Sequence, residues 1–265
     1  MPIKSLATAR AAGLKRGFER DGFAIVHGLC PQALLDRMRR CAERDLAASR
    51  APLEFEADLA YPGAPAGRDA PGGRTVRRLL DALGRDPAFI DWACSPRLSA
   101  PVRVLLGTDD IRVVRAHHNC IMTKHPDYSS ATGWHQDIRY WSFRQPELVN
   151  AWTALDRESR SNGGMCLIPG SHRATFDIDA FDSQRFFRPD YPANRPWIAR
   201  AVQIELEPGD VLFFHAALLH AAGRNLSARR KRAVVFSFRA ADNVPIPGTR
   251  SAGAHDLDPD RRPCI

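Results

Sequence analysis

The sequence predicts a mainly β protein with flanking helices, on three observations. From Ile111 onward the apolar residues fall in short β-rich runs separated by Gly, Pro and Asn, the pattern of an all-β barrel or sandwich. Before that point they recur at helical spacing instead. The 265 residues, 44% hydrophobic and 26% charged, have the composition of an ordered globular chain and are enough to bury a sizeable core.

Pro31 suits the first turn of a helix. Leu34, Leu35, Met38, Cys41 and Leu46 then recur near helical spacing through Pro31–Ala48. Residues 51–73 hold several Pro and Gly and read as a loop able to cover a site. Thr75–Leu83, Pro87–Trp92 and Arg97–Leu106 read as short helices. The predicted strands are Ile111–Arg115, Asn119–Lys124, Val149–Asp156, Met165–Ile168, Ala199–Leu206, Val211–His215 and Ala233–Phe238. Phe176–Pro196, rich in aromatics and charge, reads as an irregular loop near the mouth of the β unit. The stretch from Pro245 onward is expected to be partly disordered. There is no internal repeat. The chain divides as a single domain: a helical part at 1–108, a β core at 109–242 and a tail at 243–265.

Bulk properties narrow the function. No run of 18 apolar residues is present, so no membrane span is expected. The start, Met1-Pro2-Ile3-Lys4-Ser5, lacks a signal-peptide apolar region. Six cysteines (Cys30, Cys41, Cys94, Cys120, Cys166, Cys264) are scattered without C-x-x-C, which suggests neither a zinc ribbon nor a disulfide framework. A reducing cytoplasm fits. The net charge is +8 and the pI about 9.6. That excess is spread along the chain, so it reads as a general basic surface rather than a nucleic-acid footprint, and it can steer an acidic substrate or cosubstrate.

The chemistry concentrates in Gly133-Trp134-His135-Gln136-Asp137-Ile138-Arg139-Tyr140 and in Leu218-Leu219-His220. In an extended segment His135 and Asp137 share one face, because side chains alternate with period two. A distant His can complete a set of two imidazoles and one carboxylate. Such a set fills one face of an octahedral Fe(II) and leaves the other open for a cosubstrate and O2. His-x-Asp alone is equally a surface turn. Its context is Leu206-Glu207-Pro208-Gly209-Asp210, a turn, then the buried-strand run Val211–Phe214, then His215 and His220. His215 is the rival third ligand. His172 reads as a loop-shaping residue, and His117 and His118 can face either way.

His135-Gln136-Asp137, Asn150-Ala151-Trp152-Thr153-Ala154-Leu155-Asp156, Ser161-Asn162-Gly163-Gly164 and Ile168-Pro169-Gly170-Ser171-His172 resemble motifs of the phytanoyl-CoA dioxygenase family. So do Pro208-Gly209-Asp210, His220 and Asn225. The resemblance is strongest over 115–240 and extends back to Asp21-Gly22-Phe23-Ala24-Ile25-Val26, similar to the family's opening strand. It implies a double-stranded β-helix, a jelly-roll or cupin-like barrel. It also implies a non-haem Fe(II) and 2-oxoglutarate-dependent oxygenase that hydroxylates an unactivated C–H of a small-molecule substrate, giving succinate and CO2.

The resemblance implies His135, Asp137 and His220 as the Fe(II) ligands, because the family pattern F-H-x-x-L-x-H places the ligand at its second His. Halogenating relatives carry a small residue where this chain has Asp137, so hydroxylation is expected rather than halogenation. Family members place an Arg for the far carboxylate of 2-oxoglutarate eleven residues after the second His. Here that position is Lys231, with Arg232 next. On a strand only one of the two can face the interior, and which one is open. Trp152 aligns with a tryptophan of the cosubstrate pocket, Cys120 with a methionine near the cosubstrate, and Lys124 with a lysine just beyond it. Ala222 stands where relatives often carry a Ser that touches the cosubstrate. Asn225 and Ser227 match the family's turn. Arg77 or Arg78 can meet an acidic ligand from the helical part. Two other readings stay open: a cupin-like metal enzyme that does not use 2-oxoglutarate, and a non-catalytic jelly-roll binding protein.

Overall fold

The computed structural model describes residues 3–261, with side chains from residue 11; Met1, Pro2 and Cys264 lie outside the described residues. Helix α1 (Ile3–Asp21) stops at Gly22, whose φ is +82°. A Cβ at Gly22 would lie 2.5 Å from the His172 ring, so glycine is required both for the turn and for the space. Strand β1 (Phe23–Val26) follows, then α2 (Gln32–Ala47). As the spacing predicts, α2 buries Leu35, Met38, Cys41 and Leu46. Helices α3 (Pro87–Ala93) and α4 (Pro96–Leu106) each begin with Pro after a capping side chain. Asp86 accepts from the Ala88 N–H and Ser95 from the Arg97 N–H, satisfying donors the helix leaves free.

The remaining strands are β2 (Leu53–Phe55), β3 (Val76–Leu80), β4 (Ile111–Lys124), β5 (Thr132–His135), β6 (Leu148–Ala154), β7 (Met165–Leu167), β8 (Val202–Gln203), β9 (Val211–His215), β10 (His220–Ala222) and β11 (Lys231–Ala240). They form two antiparallel sheets. The larger runs β1-β9-β6-β11-β4-β3-β2 and the smaller β5-β10-β7-β8. This is the double-stranded β-helix, mostly β with helices against one side.

Period-two alternation gives the large sheet two different faces. Val234, Phe236 and Phe238 of β11 pack with Leu35, Met38, Phe89, Trp92 and Leu98 of the helices. Ala233 and Val235 point the other way, toward Trp152, Leu212 and Phe214 and the small-sheet residues Met165 and Leu167. The helices therefore plug one face, and the second sheet closes the other into a barrel.

Three expectations need correction. Thr75–Leu83 is not a helix: Val76–Leu80 is strand β3, with Arg78, Leu79 and Leu80 paired to Met122, Ile121 and Cys120. Val76, Leu79 and Leu80 have helical spacing, but pairing along the sheet outweighs that local pattern. The two runs either side of residues 116–118 are one strand, β4, whose ladder with β11 shifts register between Phe236 and Ser237. The tail is ordered through residue 261: Leu257 bridges Val113, Asp256 pairs with Arg239 at 2.6 Å, and Asp260 with Arg103 at 2.7 Å. In the Phe176–Pro196 insert Phe187 packs on Phe176 and Phe181, in a small cluster shared with Ile168 and Leu219 of the barrel.

Candidate metal and cosubstrate site

His135 ends β5 and His220 begins β10, directly opposite one another in the ladder, with ring centroids 4.1 Å apart. Asp137 follows β5 at the start of a short helical turn, Asp137–Tyr140. One ligand atom from each of the three lies within 4.8 Å of the others. The Nε2 atoms of His135 and His220 lie 3.6 and 3.8 Å from Asp137 Oδ1.

Each imidazole is oriented from behind. His135 Nδ1 lies 2.9 Å from the Gly133 carbonyl and His220 Nδ1 3.0 Å from that of Leu218. A proton on Nδ1 donates there and leaves the Nε2 lone pair facing Asp137, the outer support that metal-binding histidines use. Asn150 of β6 donates from Nδ2 to Asp137 Oδ2 at 2.8 Å, and its own Oδ1 accepts from Ser237 of β11. The large sheet thus holds the carboxylate that the small sheet presents.

Burial opposes ionisation of Asp137, yet His118, His220 and His135 together hold it well below the usual carboxylate range. Burial, with His135 next, pushes His220 down to about 4. A neutral imidazole beside a carboxylate is the ligand-competent state. Two nitrogen donors and one oxygen donor suit Fe(II), so these residues fit the metal their spacing suggests.

His215 is not part of this group. Its Nδ1 accepts from the Ala217 N–H at 3.0 Å and its ring lies 5.3 Å from that of His172. His118, left open by the sequence, does face the site, with Nε2 3.6 Å from Asp137 Oδ1. That is too long for a hydrogen bond. His117 instead contacts Ser251 of the tail and stacks on Trp141.

A cavity of about 250 Å³ opens over the three residues. Lys231, Lys124 and Trp152 line it, as do Met122, Met165 and Phe214. Lys231 is 1% exposed and donates to Glu158 at 2.9 Å and to the Gly163 carbonyl at 3.1 Å. Trp152 Nε1 donates to the other oxygen of Glu158 at 2.7 Å. Lys124 donates to the Ser130 carbonyl at 2.7 Å. Asn225 secures the turn before Lys231 by bonds to the Lys124 and Arg229 carbonyls.

Two sequence candidates are not brought to the cavity. Arg232 points outward, to Asp156 at 2.8 Å and Glu43 at 2.8 Å, because alternation sends it to the face opposite Lys231. Cys120 is buried in the barrel-side core, its Sγ 3.7 Å from Met122 Sδ, and burial pushes its thiol up to about 11. Sequence reasoning missed Glu158, Asn150 and Arg250. Glu158 lies beyond its predicted strand in a polar stretch with no distinguishing pattern, and Arg250 reaches the cavity from the tail.

The sequence profile of the phytanoyl-CoA dioxygenase (PhyH) family matches residues 18–233. The chain belongs to that family. It is therefore an Fe(II)- and 2-oxoglutarate-dependent dioxygenase, and the His135, Asp137, His220 group is the facial triad such an enzyme requires. The human peroxisomal phytanoyl-CoA dioxygenase is 28% identical over 256 residues, covering 89% of this chain and 70% of its own. A probable phytanoyl-CoA dioxygenase of Caenorhabditis elegans is 24% identical, covering 88% and 76%. In fold, the chain resembles the epimerase SnoN solved with Fe3+, alpha ketoglutarate and nogalamycin RO (TM-score 0.70, 21% identity, 94% of each chain). It also resembles EctD from S. alaskensis solved with 2-oxoglutarate and 5-hydroxyectoine (TM-score 0.70, 19% identity, 90% of this chain and 77% of that one). Among the described residues no helix is long and apolar enough to cross a membrane.

Proposed function

We propose that this family member hydroxylates an unactivated C–H bond of a small molecule, with 2-oxoglutarate as cosubstrate and succinate and CO2 as co-products. The observation that carries the reading is the convergence of His135, Asp137 and His220, each oriented by a separate hydrogen bond, on the wall of a cavity lined by buried cations. When bound, iron supplies O2 activation coupled to oxidative decarboxylation of the 2-oxo acid.

The chain's own residues supply position, charge and exclusion of water. His135 Nε2, Asp137 Oδ1 and His220 Nε2 would hold the metal, with Asn150 keeping the Asp137 carboxylate turned toward both imidazoles. Asp137 occupies the position a halide would need, which favours hydroxylation over halogenation. The buried side chain of Lys124 gives the cavity wall a cation that can meet a dicarboxylate. Trp152, Met122, Met165 and Phe214 supply apolar walls that keep water from the reacting centre. The five described cysteines are free thiols, which supports a cytoplasmic enzyme; the human relative is named as peroxisomal.

The test is succinate release from Fe(II)-loaded protein with 2-oxoglutarate across a panel of acyl thioesters, amino acids and secondary metabolites, followed by turnover of the best substrate under 18O2. One labelled oxygen in the organic product and one in succinate is the expected outcome. Product formation without succinate would point to a cupin-like metal enzyme that does not use 2-oxoglutarate.

A further inference from the structure

We propose that Lys124, and not Lys231, receives the far carboxylate of the cosubstrate, and that Glu158 confines Lys231 to a structural ion pair. This rests on the dioxygenase reading and deepens it.

Cations and carboxylates do not balance along one wall of the cavity. Neighbouring strands β11, β4 and β3 bring four cations to the cavity: Lys231, Lys124, Arg77 and Arg78. Three carboxylates meet them. Arg78 pairs with Glu54 at 3.0 Å. Arg77 lies 3.4 Å from Glu54 and 3.6 Å from Glu56, and donates to Ser130 Oγ and Thr132 Oγ1. Lys231 takes Glu158. Lys124 is left with one carbonyl, that of Ser130, and makes no ion pair among the described residues.

Register sharpens the count. Lys124 and Lys231 are direct cross-strand partners in the β4–β11 ladder. Side chains so placed have Cβ atoms about 4.5–5.5 Å apart, and like charges there are destabilising. Glu158, 1% exposed and fixed by Trp152, offsets one of the two. The ammonium of Lys231 is committed to Glu158, to the Gly163 carbonyl and to the face of Trp152, whose centroid is 5.3 Å away. Lys124, 7% exposed, retains hydrogens for an incoming acceptor. Of the four strand cations only Lys124 lacks a carboxylate partner, and it is the one free to take an incoming carboxylate; Arg250, which also lines the cavity, comes from the tail and not from these strands. The consequence is specificity: a 2-oxo acid with a carboxylate at its far end is selected over one that ends in a methyl group.

The experiment is anaerobic calorimetric titration of the Fe(II)-loaded protein with 2-oxoglutarate and with 2-oxopentanoate, which keeps the 2-oxo acid end and lacks the far carboxylate. The parent should bind 2-oxoglutarate more tightly by about 30-fold or more, the effect of a buried charge partner. Lys124→Met should lose that preference, and Lys124→Arg should restore most of it. The charge-neutral pair variant, Glu158→Gln with Lys231→Met, should keep it within about threefold, well below one such partner's effect. If the pair variant loses the preference, or Lys124→Met keeps it, the inference is wrong. Should Lys124→Met fail to fold, equal binding of the two acids by the parent overturns the inference by itself. A parent that binds neither acid overturns the 2-oxoglutarate reading instead.

Discussion

At the metal group three imidazoles surround a single carboxylate, Asp137; along strands β3, β4 and β11 four cations share three carboxylates. The first arrangement is closed except for a metal. Its carboxylate is held well below the usual range by the imidazoles around it, and each outer atom of the triad is taken by a carbonyl or by Asn150. The second is one negative charge short. The two walls recognise different things. The small sheet presents donors with lone pairs, which select a cation. The large sheet presents a surplus ammonium, which selects an anion.

The largest expected effects lie on the triad wall. His135→Ala, Asp137→Ala or His220→Ala should abolish Fe(II)-dependent succinate formation while far-ultraviolet circular dichroism stays that of the parent. His215→Ala should remain active, since that ring is bonded to the Ala217 N–H and packs away from the metal group. Activity in His220→Ala with loss in His215→Ala would reverse the assignment.

Next in size is the support behind Asp137. Asn150→Ala removes the donor that turns the carboxylate toward both imidazoles. It should cost about 10–100-fold in Fe(II) affinity or turnover, measured by anaerobic metal titration. An affinity equal to that of the parent would show that the outer hydrogen bond is dispensable.

The lysine wall should respond through stability. Lys231→Met leaves Glu158 buried beside Trp152 without its cation, at about 3–5 kcal/mol. The double change with Glu158→Gln should recover most of that loss, because no unpaired charge remains. Arg232, next in sequence but outward, should matter by only about 0–1 kcal/mol when changed to Ala. Urea midpoints of the three variants decide this. Equal losses in Lys231→Met and Arg232→Ala would mean that the strand does not separate the two residues as described.

A pH dependence separates the two walls in a different way. Burial, then Lys231 and Arg77, pushes Lys124 down to about 7, against the opposing pull of Glu56 and Glu158. The unfolded chain then holds the extra proton from about pH 7 to about pH 10.5, the ordinary lysine value. Stability therefore rises with pH across that window, and the cost of burying the charge is fully present below it. The difference between parent and Lys124→Met urea midpoints should change with pH in that range. A flat difference would remove the charge from Lys124.

The same contrast decides what the sequence could reveal. His135 and Asp137 are two residues apart, and His220 follows a short apolar strand after a Pro-Gly turn. Local spacing therefore exposes the triad, and the barrel follows from the short β-rich runs around it. The charge count of the other wall depends on contacts distant in sequence. Glu158 meets Lys231 from 73 residues away, and Arg77 reaches the cavity only because Val76–Leu80 is a strand, where the apolar spacing suggested a helix. Alternation could say that Lys231 and Arg232 face opposite ways. Which one faced inward required the register of β11 against β4 and β6.

The most direct test is a crystal structure of the protein grown anaerobically with Fe(II) and 2-oxoglutarate. The expected result is a metal bound by His135 Nε2, Asp137 Oδ1 and His220 Nε2, with the far carboxylate of the cosubstrate on Lys124 and Lys231 still on Glu158. A metal held through His118 or His215, or a far carboxylate on Lys231 with Glu158 displaced, would contradict it.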